Sequence, residues 1–299
     1  MVPSDLFLMI ILNTAWAYNF IAGKAGVAYF QPLFFTFLRF AILLVLTFPF
    51  LRWVPGQMKK VFSLGIVLGV FHFSFMFAGL AAAGDISSVA IAVQLGVPFA
   101  AILALILLKE SLDWRKFFGI AIAFAGVVVI GFDPIVFNNI AGLLLVSCAA
   151  FCFAVATIIM RQIHGVGVFC LQGWIALMAV PAQLLLSLWL EDNQLTLLQS
   201  ATWLDFFNPA YSALGASLIG HGLMYHLLTK YPVNVTTPYT LLAPILAVVF
   251  GVVLWGDSLT WKLMMGGAAT LAGIAMTNMP GYRLKSALRV SNPAGKQSQ

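Results

Sequence analysis

Charged residues are scarce in this chain, at 8% of 299 positions against ~25% in soluble domains. That shortfall excludes a soluble globular fold, and 62% hydrophobic residues with a mean hydropathy of +1.03 mark an integral membrane protein. Short segments of alternating polar and apolar residues are missing too, which excludes a membrane β-barrel. The three cysteines, Cys148, Cys152 and Cys170, form no disulfide or metal-ligand framework and read as small apolar packing residues. No basic run precedes the first apolar stretch and no small-residue cleavage site closes it, so it is expected to remain as a span. Carboxylates are absent from the middle of every apolar run. All nine acids, Asp5, Asp85, Glu110, Asp113, Asp133, Glu191, Asp192, Asp205 and Asp257, map to span ends or loops, which leaves an acidic proton or sodium relay without a carrier.

What is present is apolar sequence in long runs, at about 5–23, 32–51, 61–82, 86–108, 114–132, 141–161, 168–190, 206–229, 233–255 and 259–279. Each is close to the ~20 residues that cross ~30 Å of hydrocarbon as a helix, which predicts ten transmembrane helices. Counted by loop, Arg52, Lys59, Lys60, Lys109, Arg115, Lys116, Arg161, Lys230, Arg283, Lys285, Arg289 and Lys296 fall on the side of both termini. Only Lys24 and Lys262 fall opposite, so both termini are expected in the cytoplasm. The net charge of +6 then reports topology and contact with anionic lipid; no soluble basic face exists for nucleic acid. Arg39 lies inside the second run, where snorkelling or local pairing is expected.

A six-residue cassette occurs twice, as Lys109-Glu110-Ser111-Leu112-Asp113-Trp114 and Gly256-Asp257-Ser258-Leu259-Thr260-Trp261, 147 positions apart. At the same shift Gly119 falls on Gly266, Ala125 on Ala272 and Gly126 on Gly273. The chain therefore reads as a duplication. Because each copy has an odd number of spans, the second is expected upside down: residues 1–133 and 134–280 form two inverted five-helix repeats, followed by a basic cytoplasmic tail, 281–299. Inverted repeats in a bilayer imply alternating access around a site near the midplane.

Several residues are candidates for that site. Pro98 and Pro244 have no N–H, so the carbonyls of Gln94 and Thr240, four residues earlier, lose their helical donor. In lipid such a carbonyl needs a cavity, a water or a partner; a bound ammonium would serve, and a simple kink satisfied by neighbours is the alternative. Trp16 lies mid-span, outside the interfacial belt, and aligning Lys24 with Arg161 puts it opposite Phe153. The two rings either stack an apolar side chain or merely pack between helices. Asn13 and Asn19 lie within about two turns of that face. His72 and His221 occupy near-equivalent points of the third and eighth spans, with Tyr225 one turn after His221. Ionisable residues in a membrane are site candidates, although a histidine bonded to a backbone carbonyl is the structural reading. A zinc site is not expected, because His221 and His226 are five apart and no carboxylate or cysteine pair accompanies them. Small residues Gly119, Ala123, Gly126, Gly266, Gly267 and Gly273 suit close packing of the fifth and tenth spans.

Taken together, Trp16-Ala17-Tyr18-Asn19-Phe20 with Lys24, Pro32 with Phe37-Leu38-Arg39-Phe40, Pro98 to Glu110, and Gly119 with Ala125-Gly126-Val127 resemble the EamA-type family of the drug/metabolite transporter superfamily. Asp257 stands where that family usually has Glu, and the proline-to-acid spacing is one residue shorter in the first half. The resemblance implies an all-α integral membrane protein and, among relatives, is greatest to bacterial amino-acid exporters of the YddG type. It leads to a secondary carrier, not an enzyme, without cofactor or metal, that moves amino acids and similar small metabolites out through the bacterial inner membrane as a monomer. Neutral groups of Asn13, Gln94, Tyr239 and Thr240 are then expected to hold the zwitterion with weak, broad selectivity. Efflux of drugs or hydrophobic cations is the alternative within the class, and nucleotide-sugar exchange is disfavoured by the shortage of deep basic residues. An intramembrane hydrolase built on Ser217 and His221, one turn apart, is the alternative outside it.

Overall fold

The computed structural model describes residues 1–108, 114–231 and 237–278, and among them every regular element is helical. The first cassette copy from Lys109 to Asp113 and the tail lie outside the described residues. The main segments are α1 (Pro3–Phe30), α2 (Pro32–Thr47), α3 (Met58–Ala82), α4 (86–108), α5 (Trp114–Gly131), α6 (Ile140–Met160), α7 (Val168–Leu190), α8 (207–230), α9 (237–255) and α10 (Trp261–Asn278). Among the described residues six helices are long and apolar enough to cross a membrane, and α5 and α9 contain the shorter apolar stretches Phe117–Gly131 and Tyr239–Trp255. Helix is the necessary form here, because hydrocarbon offers no partner for an open backbone group.

Loop chemistry sets the helix ends. Pro3 and Pro32 sit in first turns, where a missing N–H costs nothing. Between α1 and α2 the chain reverses at Gln31 (φ 62°), and Glu191 accepts from the amides of Leu33 (2.7 Å) and Phe34 (2.9 Å), which the first turn of α2 leaves without a helical partner. The start of α4 draws two carboxylates. Asp85 caps Ser88, while Asp257, from the loop before α10, accepts from the amides of Ile86 and Ser87 and the Ser87 hydroxyl at 2.7–2.9 Å. Burial pushes the Asp85 carboxyl above the ordinary carboxylate range, and the Ser88 bonds oppose that shift. Lys24 closes the C-terminus of α3, donating to Leu80 O (2.7 Å) and Ala83 O (2.6 Å).

Small residues fix the closest crossings, since lipid supplies no hydrophobic drive between helices. A side chain on Gly126 would meet Thr270 and the Gly266 carbonyl, and one on Gly273 would meet Ala123 and the Gly119 carbonyl. The α5–α10 contact is therefore the one expected from these residues, while Gly267 faces Ile91 of α4 instead. α3 and α6 cross in the same way, at Gly79 and Gly142.

Six described segments depart from α-helical winding, two of them a 3-10 turn at Phe48–Phe50 after α2 and a π-helix over Gly251–Trp255 at the end of α9. α3 is a π-helix over Gly65–His72 and α8 over Ser212–His221; α4 tightens to a 3-10 turn at Val93–Leu95 and α9 at Thr237–Leu241. The 3-10 turns immediately precede Pro98 and Pro244, so the expected kinks take the form of a local rewinding. The first half of α4, Ile86–Ala92, packs on Leu242–Phe250 of α9, whereas Gly96–Leu108 runs along α6 and 237–241 lies by α10. Two expectations fail. Arg39 does not snorkel: at 2% exposure it is one of the largest fully buried side chains, because α2 turns that face to α3 and α8. Cys148 is exposed on α6 and Cys152 only half-buried, although Cys170 does join a buried cluster.

Candidate functional site

The π segments of α3 and α8 each end on a histidine, and the two histidines meet the two aromatic residues, Phe153 and Trp16, that sequence spacing had set opposite one another. His72 on α3 lies 5.4 Å, ring to ring, from Phe153 on α6; His221 on α8 lies 5.4 Å from Trp16 on α1. Nδ1 of His72 bonds Ala149 O at 2.8 Å and Nδ1 of His221 bonds Ala216 O at 2.9 Å. A carbonyl only accepts, so both rings carry their proton on Nδ1, and a neutral ring keeps Nε2 as an acceptor. The resemblance of the two pairs ends at the hydrogen bonds. Ala149 belongs to the facing helix, whereas Ala216 O is on the histidine's own helix and also accepts from Trp16 Nε1 at 3.2 Å. Gly220 makes that contact possible, because any Cβ there would collide with the indole nitrogen.

Arg39 lies between the two pairs. Its Nη2 donates to Ser217 Oγ (2.9 Å), on the same π segment as His221, and its guanidinium stands 4.0 Å over the ring of Phe73. Phe73 is in turn 4.6 Å from the His72 ring. A continuous strip therefore crosses the bundle from Trp16 and His221 through Ser217, Arg39 and Phe73 to His72 and Phe153. No acid answers the guanidinium among the described residues, and Nε and Nη1 have no partner. The other buried side-chain atoms left unpaired there are Oδ1 of Asn13, Oδ1 of Asn19 and Oγ of Ser212. All of them belong to α1, α2 or α8, which pack together. Native interiors leave few such atoms unpaired.

Other expected residues divide into those brought together and those left apart. Gln94 is half-buried in the 3-10 turn of α4, and the next turn, at Gly96, abuts Phe153 and Ala150 O. The proline break of α4 thus reaches the His72–Phe153 pair. Asn13 is fully buried and donates to Met9 O at 2.6 Å. Tyr239 is 44% exposed and Thr240 half-buried at the start of α9. The Tyr225 side chain lies outside the described residues. No side-chain hydrogen bond joins Ser217 to His221: Ser217 Oγ donates to Ser212 O (3.2 Å) and accepts from Arg39, and His221 Nδ1 donates to Ala216 O. Sequence reasoning set Arg39 aside as a snorkelling or locally paired residue and passed over Phe73 and Ser212. The available signal was a lone base within an apolar run, flanked by phenylalanines and with no acid within a turn.

A family model described as the EamA-like transporter family matches residues 4–132 and 140–279. A probable amino-acid metabolite efflux pump of Salmonella typhimurium is 28% identical over 299 aligned residues, covering 96% of this chain and 98% of the relative. One of the same description from Escherichia coli is 25% identical over 96% and 99%. An uncharacterized transporter of Archaeoglobus fulgidus is 27% identical over 87% and 94%. A solved crystal structure superposes with a TM-score of 0.63 at 18% identity, covering 92% of this chain and 96% of its own, a likeness of fold alone.

Proposed function

Because this chain belongs to the EamA-like transporter family, we propose that it is a secondary carrier exporting apolar and aromatic amino acids and related small metabolites by alternating access. It is a multi-pass membrane protein. In the proposed topology ten spans form two inverted repeats, 1–133 and 134–280, in the bacterial inner membrane with both termini cytoplasmic and 281–299 as a tail. The two ring contacts carry this reading. A third-helix histidine that closes a π segment meets a first-helix aromatic of the other repeat, once as His72 with Phe153 and once as His221 with Trp16. π segments and proline breaks at matching places give both halves helices that can change winding at modest cost, as alternating access requires. The amino-acid cargo is supported by the descriptions of two relatives. Efflux of hydrophobic cations fits less well, since a buried guanidinium at the centre repels positive charge.

Exchange across liposomes tests the proposal. Protein reconstituted with unlabelled L-phenylalanine inside should take up labelled L-phenylalanine in counterflow, and Trp16→Ala should slow exchange about tenfold, the equivalent of ~1.4 kcal/mol of lost stacking and hydrogen bonding. Exchange of cationic dyes with none of amino acids would refute it. Exchange indifferent to Trp16→Ala would remove that residue from the site.

A further inference from the structure

The geometry points to Arg39 as the anchor for a carboxylate: we propose that its unused nitrogens bind the carboxylate of the transported molecule, which makes carriage selective for small monocarboxylates, zwitterionic amino acids among them, over the matching amines and esters. This rests on the carrier reading above. A guanidinium has five N–H donors, and Ser217 takes one. Nε lies on one edge of the fork and Nη1 on the other, so a carboxylate approaching either edge finds an unused nitrogen. The Phe73 face at 4.0 Å offsets part of the desolvation and holds the plane in place. It leaves the charge itself unanswered.

A comparison within the molecule sharpens the point. α7 carries Gln183, which reaches Ser74 on α3 much as Arg39 on α2 reaches Ser217 on α8. Gln183 is satisfied: Nε2 donates to Gly69 O (3.0 Å) and Val70 O (3.1 Å), and Oε1 accepts from Ser74 Oγ (3.1 Å). One side of the bundle is thus closed with a neutral, saturated amide, and the other holds a cation with spare donors. Spare acceptors belong to α1, which packs on both α2 and α8. Adjacent residues of α8 join the two helices, Ala216 O binding Trp16 and Ser217 Oγ binding Arg39, and Asn13 and Asn19 flank Trp16 on α1. Their unpaired Oδ1 atoms suit an ammonium, as the unpaired Arg39 nitrogens suit a carboxylate. The orphaned set is complementary to an α-amino acid.

Purified full-length protein tests this by thermal unfolding with four probes: L-phenylalanine, 3-phenylpropanoate, phenylalanine methyl ester and phenethylamine. The two acids should raise the unfolding temperature and the ester and amine should not. Arg39→Met should itself raise the starting unfolding temperature, since it removes a buried unpaired charge, and should need at least about tenfold more of either acid for the same shift. Arg39→Lys should respond to the acids at intermediate concentrations. A purely structural Arg39 predicts the reverse, a destabilised Arg39→Met with an unchanged response to acids, and that result would overturn the proposal. So would stabilisation by ester or amine equal to that by acid, or no stabilisation by either acid. If Arg39→Met does not fold, the four probes on unmodified protein still decide. Counterflow separates the two readings. Labelled L-phenylalanine exchange inhibited equally by its methyl ester leaves the carrier and removes the anchor; acid stabilisation lost in Arg39→Met without any amino-acid exchange leaves the anchor and removes amino-acid export.

Discussion

At the scale of single residues, the centre of this protein depends on who answers each polar atom. His72 and His221 were legible in the sequence because an ionisable residue in an apolar run is conspicuous, and a carbonyl fixes the proton of each. Arg39 was equally visible, yet its role was not. A four-bond side chain can snorkel or turn inward, and helix packing decides between them. Gly220 illustrates the same dependence, since nothing local in the sequence says that the Trp16 indole lies against it. Gly220→Ala should displace the indole from Ala216 O and cost roughly 1–3 kcal/mol of stability as overpacking. Thermal unfolding and a red shift of Trp16 emission, read in a variant with the other tryptophans replaced, would check this; unchanged unfolding and emission would contradict the contact.

At the scale of helices, proline chemistry and small residues explain most of what is seen. Pro98 and Pro244 were readable as breaks, and the 3-10 turns ahead of them are the backbone's response to a missing donor. Pro98→Ala and Pro244→Ala should restore that donor, raise stability by roughly 1–3 kcal/mol and slow exchange. Unfolding temperature and counterflow rate, measured on the same preparations, should move in opposite directions; faster exchange would mean the breaks serve no transport step. The α5–α10 pair should behave differently. Gly126→Val would force its side chain into Thr270 and the Gly266 carbonyl, so loss of folded protein is expected, measured as monodisperse yield. The π segments of α3 and α8 were not legible, because an extra residue in a turn leaves no mark in an unbroken apolar run.

At the scale of the whole molecule, the network around α4 is the clearest candidate for a seal. Asp257 places its carboxylate on two amides and a hydroxyl at the start of α4, between segments distant in the chain. Hydrogen bonds to a charged group are worth ~1.5–3 kcal/mol each. Asp257→Ala should therefore raise the rate at which a membrane-impermeant thiol reagent reaches a cysteine placed at Ala90 by about tenfold or more. An unchanged rate would make Asp257 a helix cap and nothing further. The sequence by itself determined that this is a helical membrane protein with a doubled cassette, that its acids stay at helix ends and that two prolines interrupt their helices, because hydropathy, charge placement and a missing N–H act locally. Only the tertiary structure decided which rings meet which histidines, that Arg39 turns inward to Phe73 and Ser217, and which polar atoms remain unpaired. Those outcomes depend on the rotation of each helix about its own axis, and that angle is set by packing against helices more than a hundred residues away.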